Sequence, residues 1–200
     1  MNIALIDDSR RQYEKYKTRL EFKGINLIFM EYIQEYDQII QWLLDNEIKF
    51  VLIDYKLDDK YEFEGSNLMH YIDNAIPDLQ CALFTSNIPD DNLVMDCQMI
   101  DKNVFNTRGE VFDKFVDRIK QAVKVFENRQ KISLNEYKDL LEKKKNKELS
   151  ASEIERMEEL YKRLYSYGLV EYMPKEFFET NLEEKVDELI KVVEKYIDTK

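Results

Sequence analysis

Asp7 and Asp8, Asp54, Thr85 and Lys102 are the residues of this chain whose types could do chemistry together. Each follows a short apolar run. Ile3-Ala4-Leu5-Ile6 precedes the aspartate pair, Phe50-Val51-Leu52-Ile53 precedes Asp54, Cys81-Ala82-Leu83-Phe84 precedes Thr85, and a weaker run, Gln98-Met99-Ile100, leads through Asp101 to Lys102. Such runs read as strands buried on both faces of a parallel sheet, and in open α/β sheets ligand chemistry gathers at the carboxyl ends of the strands. Three carboxylates brought to one edge repel one another unless a cation neutralises them, and an all-oxygen, highly charged ligand set fits Mg2+. A hydroxyl and an ammonium beside that set supply a hydrogen-bond donor and a counter-charge for a phosphoryl group. The constellation could therefore hold Asp54, Mg2+ and phosphate together.

Taken singly, none of these residues carries that weight. Asp is common at turns and helix starts for conformational and dipole reasons, a lone Lys102 reads as a surface lysine, and a lone Thr85 reads as a strand residue. Other features read more simply. His70 falls on a helix away from the strand ends, and Lys143, Lys144, Lys145 and Lys147 make a solvated helix end that complements the helix dipole. Tyr161, Tyr165, Tyr167 and Tyr172 form a stripe suited to a core or to a partner surface.

The elements that must position the constellation alternate. The first strand, Asn2 to Ile6, leads into a helix capped by Ser9, with Tyr13, Tyr16 and Leu20 on its apolar face and Gly24 as its stop. A second strand spans Leu27 to Met30, and Tyr36, Ile39, Ile40, Leu43 and Leu44 recur at helical spacing. After the Asp54 strand, an acidic loop leads through Gly65 to a helix with Leu68, Met69 and Ile72, limited by Pro77. Residues 88–97 allow only a short helix before the fifth strand, and Phe112, Phe115, Val116, Ile119, Val123 and Phe126 mark a long one after it. Five strands alternating with helices imply right-handed crossovers and one mainly parallel sheet covered on both faces.

Beyond residue 127 only helical patterns remain, with no Gly- or Pro-rich break before them. One stripe runs through Leu134, Tyr137, Leu140 and Leu141 with Ser133 as a possible cap, and a second through Ile154, Met157, Leu160, Tyr161 and Leu164 between Ser152 and Gly168. A third runs through Val186, Leu189, Ile190, Val193, Tyr196 and Ile197, capped by Asn181. The expected organisation is an α/β domain over residues 1–127 and an all-α extension over 128–200, whose stripes need apolar partners in the chain, in another protein or in a second copy.

Two hundred residues with 44% hydrophobic content suffice for a core without staples. Cys81 and Cys97 have neither disulfide-framework nor metal-site spacing and read as reduced thiols, and no apolar segment approaches a membrane span. The expectation is a cytoplasmic protein with no membrane contact. A net charge of -11 argues against a general nucleic-acid binder, which needs a basic face, and no helix-turn-helix with a basic recognition helix is evident.

In Ile6-Asp7-Asp8-Ser9, Leu52-Ile53-Asp54, Gly65, Phe84-Thr85-Ser86 and Asp101-Lys102-Asn103-Val104-Phe105, taken in that order, the first ~125 residues resemble the receiver domain of two-component response regulators. The resemblance implies a flavodoxin-like (βα)5 sheet of strand order 2-1-3-4-5, and a phosphorelay role in place of enzymatic turnover. It implies that Asp54 accepts a phosphoryl group from the phosphohistidine of a sensor histidine kinase or phosphotransfer protein. Asp7, Asp8, Asp54 and the backbone carbonyl of Lys56 would hold Mg2+, Lys102 would pair with the phosphoryl oxygens, and Thr85 would bond one of them. The helical extension would signal to a protein partner or to a second copy.

Three positions depart from the family pattern. Asn103 stands where proline is usual, Met99 where an aromatic or histidine is usual, and only 17 positions separate Thr85 from Lys102. These departures motivate a second reading, a receiver-like interaction module that no longer switches. A third reading, a Mg2+-dependent phosphohydrolase with an aspartate nucleophile, meets the difficulty that such enzymes of the haloacid dehalogenase type want a D-x-D pattern after the first strand, whereas Asp7 and Asp8 are adjacent.

Overall fold

Consecutive β-branched and aromatic residues have no polar face to offer solvent, so each such run is stable only between neighbours. In the computed structural model, which describes residues 1–57, 60–86, 99–146 and 149–173, five of them form one sheet. The strands are β1 (Asn2–Ile6), β2 (Asn26–Phe29), β3 (Ile48–Asp54), β4 (Cys81–Thr85) and β5 (Met99–Asp101). They are all parallel and lie in the order β2-β1-β3-β4-β5. Helix α1 (Tyr13–Glu21) follows β1, α2 (Tyr36–Asp45) follows β2, α3 (Gly65–Ala75) follows β3, and α4 (Glu110–Asn146) follows β5.

The pleat divides the strand side chains between two cores. Ile3, Leu5, Leu27, Phe50, Leu52, Ala82 and Phe84 pack with Tyr13, Tyr16 and Leu20 of α1 and with Phe112, Phe115, Val116 and Ile119 of α4. The alternate residues Ala4, Ile6, Val51, Ile53 and Leu83 are buried on the opposite face, where α2 and α3 bring Ile39, Leu43, Leu68 and Ile72. Gly24, at φ 75°, ends α1: its N–H donates to the Glu21 carbonyl and the Ile25 N–H reaches back to that of Leu20.

Two compact units divide the chain, Met1–Glu127 and Asn128–Lys200. In the second unit α5 (Ala151–Ser166) begins with a capping box: the Glu153 N–H donates to Ser150 Oγ and the Ser150 N–H donates to the Glu153 carboxylate. It ends at Gly168, φ 67°, where Leu169 N–H donates to the Leu164 carbonyl. Leu134, Tyr137 and Leu141 are buried in this unit, as are Met157, Leu160, Tyr161 and Leu164. Arg156 grips Glu136 with two parallel bonds of 2.7 and 2.8 Å, which holds the Glu136 carboxyl below its usual range.

Two capping expectations need correction. Ser133 starts no helix: it is buried in mid-α4, because residues 111–146 contain neither Gly nor Pro and the buried stripe continues from Val123 and Phe126 through Gln130 and Ser133 to Leu134, Tyr137 and Leu141. The cap of α5 is Ser150 and not Ser152: both serines have a glutamate three residues on, and the reciprocal pair forms between Ser150 and Glu153. The short helix expected over 88–97, Cys97, Lys147 and the stripe from Asn181 to Ile197 lie outside the described residues. Among the described residues no helix is long and apolar enough to cross a membrane.

Candidate functional site

β1, β3, β4 and β5 all end at the same edge of the sheet, and each delivers one part of the constellation there. Asp7 follows β1, Asp54 is the last residue of β3, Thr85 is the last residue of β4, and Lys102 follows β5. The register fixes their neighbourhood: Asp54 lies beside Phe84, and Thr85 beside Asp101, one residue before the lysine. Asp7, Asp54 and Thr85 are buried and Asp8 is half-buried.

Local bonds orient the carboxylates. The Ser9 N–H donates to Asp7 Oδ1 at 2.8 Å, and Ser9 in turn caps the 3-10 turn Arg10–Gln12 that opens into α1. The Lys56 N–H approaches Asp54 Oδ1 at 3.4 Å, so the backbone after β3 holds one oxygen of that carboxylate. The other oxygen, Oδ2, accepts from Lys102 Nζ at 2.6 Å, and the same ammonium donates to Asp7 Oδ2 at 2.9 Å. Lys102 thus bridges residues that lie 95 and 48 positions away. Its ammonium also lies 5.5 Å from the centre of the Phe84 ring.

Two carboxylates sharing one ammonium leave a negative excess in a poorly solvated place. Burial pushes the Asp54 carboxyl above its ordinary range and the Asp7 charge adds to that, against the lowering effect of the Lys102 bond. Burial works against the charge of Lys102, but Asp54 and Asp7 outweigh it and hold the ammonium above its usual range. One carboxylate oxygen from each of Asp7, Asp8 and Asp54 comes within 4.8 Å of the others. Hard oxygen donors at that spacing suit a divalent cation of the Mg2+ or Ca2+ kind.

Every residue singled out for the site in the sequence therefore lies at this edge. Asp7, Asp54 and Lys102 are in direct contact, Asp8 stands in the carboxylate group, Lys56 contributes its N–H, and Thr85 is buried at the neighbouring strand end. Residues not singled out for chemistry also belong to the neighbourhood. A cleft of about 310 Å³ opens on Asp7, Asp8, Asp54 and Lys102, and Arg11, Tyr16, Ser86 and Asn106 help to line it. The Lys60 ammonium donates to the Asp8 carbonyl. Tyr61 lies close enough that burial first, then Tyr32, Asp7, Asp8 and Glu31, raise its hydroxyl to about 12. Tyr16 was legible only as a core position, because a tyrosine at helical spacing carries no mark of what its hydroxyl meets.

The loop after β5 differs from what a proline would impose. Asp101 accepts from the Asn103 N–H at 2.7 Å and caps a 3-10 turn, Lys102–Asn106, a bond that proline at 103 would remove. Among the described residues no peptide bond is cis.

No family model matches the chain, and no curated protein does. Three solved structures are similar to it. A response regulator from Thermotoga maritima has 22% identity and a TM-score of 0.46, over 62% of this chain and 97% of that one. The signal receiver domain of an HD domain-containing protein from Pseudomonas fluorescens Pf-5 has 18% identity and a TM-score of 0.49, over 65% and 91%. The response regulator StyR has 12% identity and a TM-score of 0.47, over 98% of both chains. By its own strand order and its parallel register, the unit Met1–Glu127 has the flavodoxin-like doubly wound fold on which receiver domains are built.

Proposed function

We propose that this chain is a response-regulator receiver protein in which Asp54 accepts a phosphoryl group from the phosphohistidine of a histidine kinase or phosphotransfer protein. The observation that carries this reading is the joining of Asp54 to Asp7 by Lys102, inside a group of three carboxylates at the carboxyl edge of a doubly wound sheet. In the transfer, a P–O bond forms at an Asp54 oxygen as the P–N bond of the donor breaks, and the electron pair leaves with the imidazole.

Asp7, Asp8, Asp54 and the Lys56 carbonyl would hold Mg2+, which when bound neutralises and aligns the phosphoryl oxygens. Lys102 supplies a second positive charge at the place where charge accumulates, exchanging its bond to Asp54 for one to a phosphoryl oxygen. The Lys56 N–H keeps Asp54 Oδ1 turned toward the backbone. Thr85, paired across the sheet with Asp101 just before Lys102, is the donor for the new acyl phosphate. A bond made only to the phosphorylated form is the differential interaction that a two-state switch requires. The second unit, Asn128–Lys200, would carry the signal to a protein partner or to a second copy, and catalytic turnover of a substrate is not part of the role.

Acetyl phosphate with Mg2+ should add the mass of one phosphoryl group to the full chain, and Asp54→Asn should abolish the gain. An unchanged wild-type mass, with no binding of the phosphate mimic beryllofluoride, would refute the proposal. A non-switching module is the second reading, favoured by Met99 on β5, where no aromatic side chain is present to change place with Thr85. Beryllofluoride that binds without altering amide exchange beyond the strand-end loops would favour it.

A further inference from the structure

Tyr16 sits on the face of α1 that packs against the sheet, and its ring is fixed by other rings. The Phe105 ring lies 4.2 Å away, centre to centre, and Phe84 meets it edge-on at 5.5 Å. Phe105, Phe112 and Phe115 continue the cluster into α4. The residue is 6% exposed, so its ring is held in place by its neighbours. Yet its hydroxyl makes no hydrogen bond among the described residues. This differs from Tyr13, one turn earlier on the same helix, whose hydroxyl donates to the Leu27 carbonyl at 3.0 Å.

The hydroxyl end opens instead on the cleft that contains Asp7, Asp54 and Lys102. Burial raises its pKa, and the charges it feels beyond that are those of Lys102, Asp7 and Asp54, so the donor stands in the field of all three. A donor that meets the cleft and has no protein partner is free to bond what enters the cleft. A rigid, neutral O–H beside an ammonium is an arrangement that binds an anion: Lys102 donates to Asp7 and Asp54 and not to the Tyr16 oxygen, and both groups can donate to an incoming oxygen.

We infer that the Tyr16 hydroxyl is an anion-binding donor of the phosphoryl site, bonding an oxygen of the group held between Asp54 and Lys102. The inference rests on the reading of Asp54 as phosphoryl acceptor and adds to it a donor from α1, outside the strand-end set. It gives the bound anion a contact with the aromatic cluster that joins α1, β4 and α4.

The test uses the full chain with beryllofluoride and Mg2+. Tyr16→Phe keeps the ring and its packing and removes only the donor. Loss of one hydrogen bond to a charged oxygen should weaken beryllofluoride binding about tenfold or more. Mg2+ binding alone, followed by calorimetry, should stay within about twofold of wild type, since the carboxylates are untouched. One 19F resonance of the bound beryllofluoride should shift in the variant. Equal beryllofluoride affinity and unchanged 19F resonances in the two proteins would overturn the inference while leaving the phosphoryl site intact. Equal weakening of Mg2+ and beryllofluoride would overturn it too, by marking Tyr16 as structural. Failure of the wild-type chain to bind beryllofluoride would remove the phosphoryl reading itself.

Discussion

Gly65 lies at the first position of α3, and its substitution tests how the site is built more sharply than a substitution of any ligand would. A Cβ placed there would stand 2.0 Å from the Asp54 carbonyl oxygen, 3.0 Å from the Asp54 carbonyl carbon and 3.2 Å from Ile53 Cγ2. Two of these three neighbours are backbone, and the oxygen belongs to the proposed acceptor. The Gly65 N–H also donates to the Tyr55 carbonyl at 3.3 Å, so α3 cannot retreat without breaking the closure of the loop. Relief of the contact requires a movement of more than about 1 Å at the end of β3, and overpacking of that kind costs up to about 3 kcal/mol. Helix propensity alone predicts the opposite sign, a gain of up to about 1 kcal/mol for alanine over glycine. The packing effect wins, and Gly65→Ala should lose about 2–3 kcal/mol. For a unit of this size that lowers the thermal midpoint by roughly 10 °C. A displacement of Asp54 by about 1 Å should also slow phosphorylation by acetyl phosphate about a hundredfold. The assays are thermal unfolding by circular dichroism and the rate of mass gain. A variant that melts at or above the wild-type temperature and is phosphorylated at the wild-type rate would refute the argument.

Because burial and Asp7 raise the Asp54 pKa above its ordinary 3.8, the folded state favours the protonated carboxyl. The stability contributed by Asp54 is then fully present below that ordinary value and is lost as pH rises through the raised one. Wild type should lose stability relative to Asp54→Asn as pH rises above the ordinary carboxyl value, and Mg2+ should close the gap; a difference that stays constant across pH in thermal melts would contradict this. In the helical unit, Tyr137→Phe removes a fully buried hydroxyl that has no hydrogen-bond partner among the described residues, and should stabilise by about 1 kcal/mol in urea unfolding at unchanged m. Ser150→Ala removes the hydroxyl that accepts from the Glu153 N–H, while the backbone N–H of residue 150 can still donate to the Glu153 carboxylate, and should cost about 1 kcal/mol in the same assay.

The strands and the strand-end residues were legible because burial on both faces writes itself as uninterrupted apolar runs, and a carboxylate or hydroxyl at the end of such a run stands out. The parallel direction of the strands followed from alternation with helices, whereas their order was implied by the family resemblance alone. Helix boundaries in the second unit were harder to read. A serine before an apolar stripe fits both a cap and a mid-helix position, and Ser133 and Ser150 are told apart only by whether the preceding turn can be continued. Tyr16 and Lys60 escaped for a different reason: their contribution depends on where a long side chain ends, and periodicity reports only where it begins. The Lys56 N–H bond to Asp54 belongs to the same class, since backbone donors leave no mark on residue type.

The four strands that supply Asp7, Asp54, Thr85 and Lys102 come together from across the first 102 residues, and Lys102 closes on Asp7 only when β5, the last of them, has paired. The constellation is therefore a check on completeness. A nascent or partly unfolded chain exposes Asp54 as an ordinary carboxylate, with no bridging ammonium and no grouped oxygens, and has nothing to offer a phosphoryl donor. Long-range parallel pairing is slow to form, so the chain passes through a period in which the constellation does not yet exist. Under the proposed function, a phosphorylated molecule is also one that has finished folding.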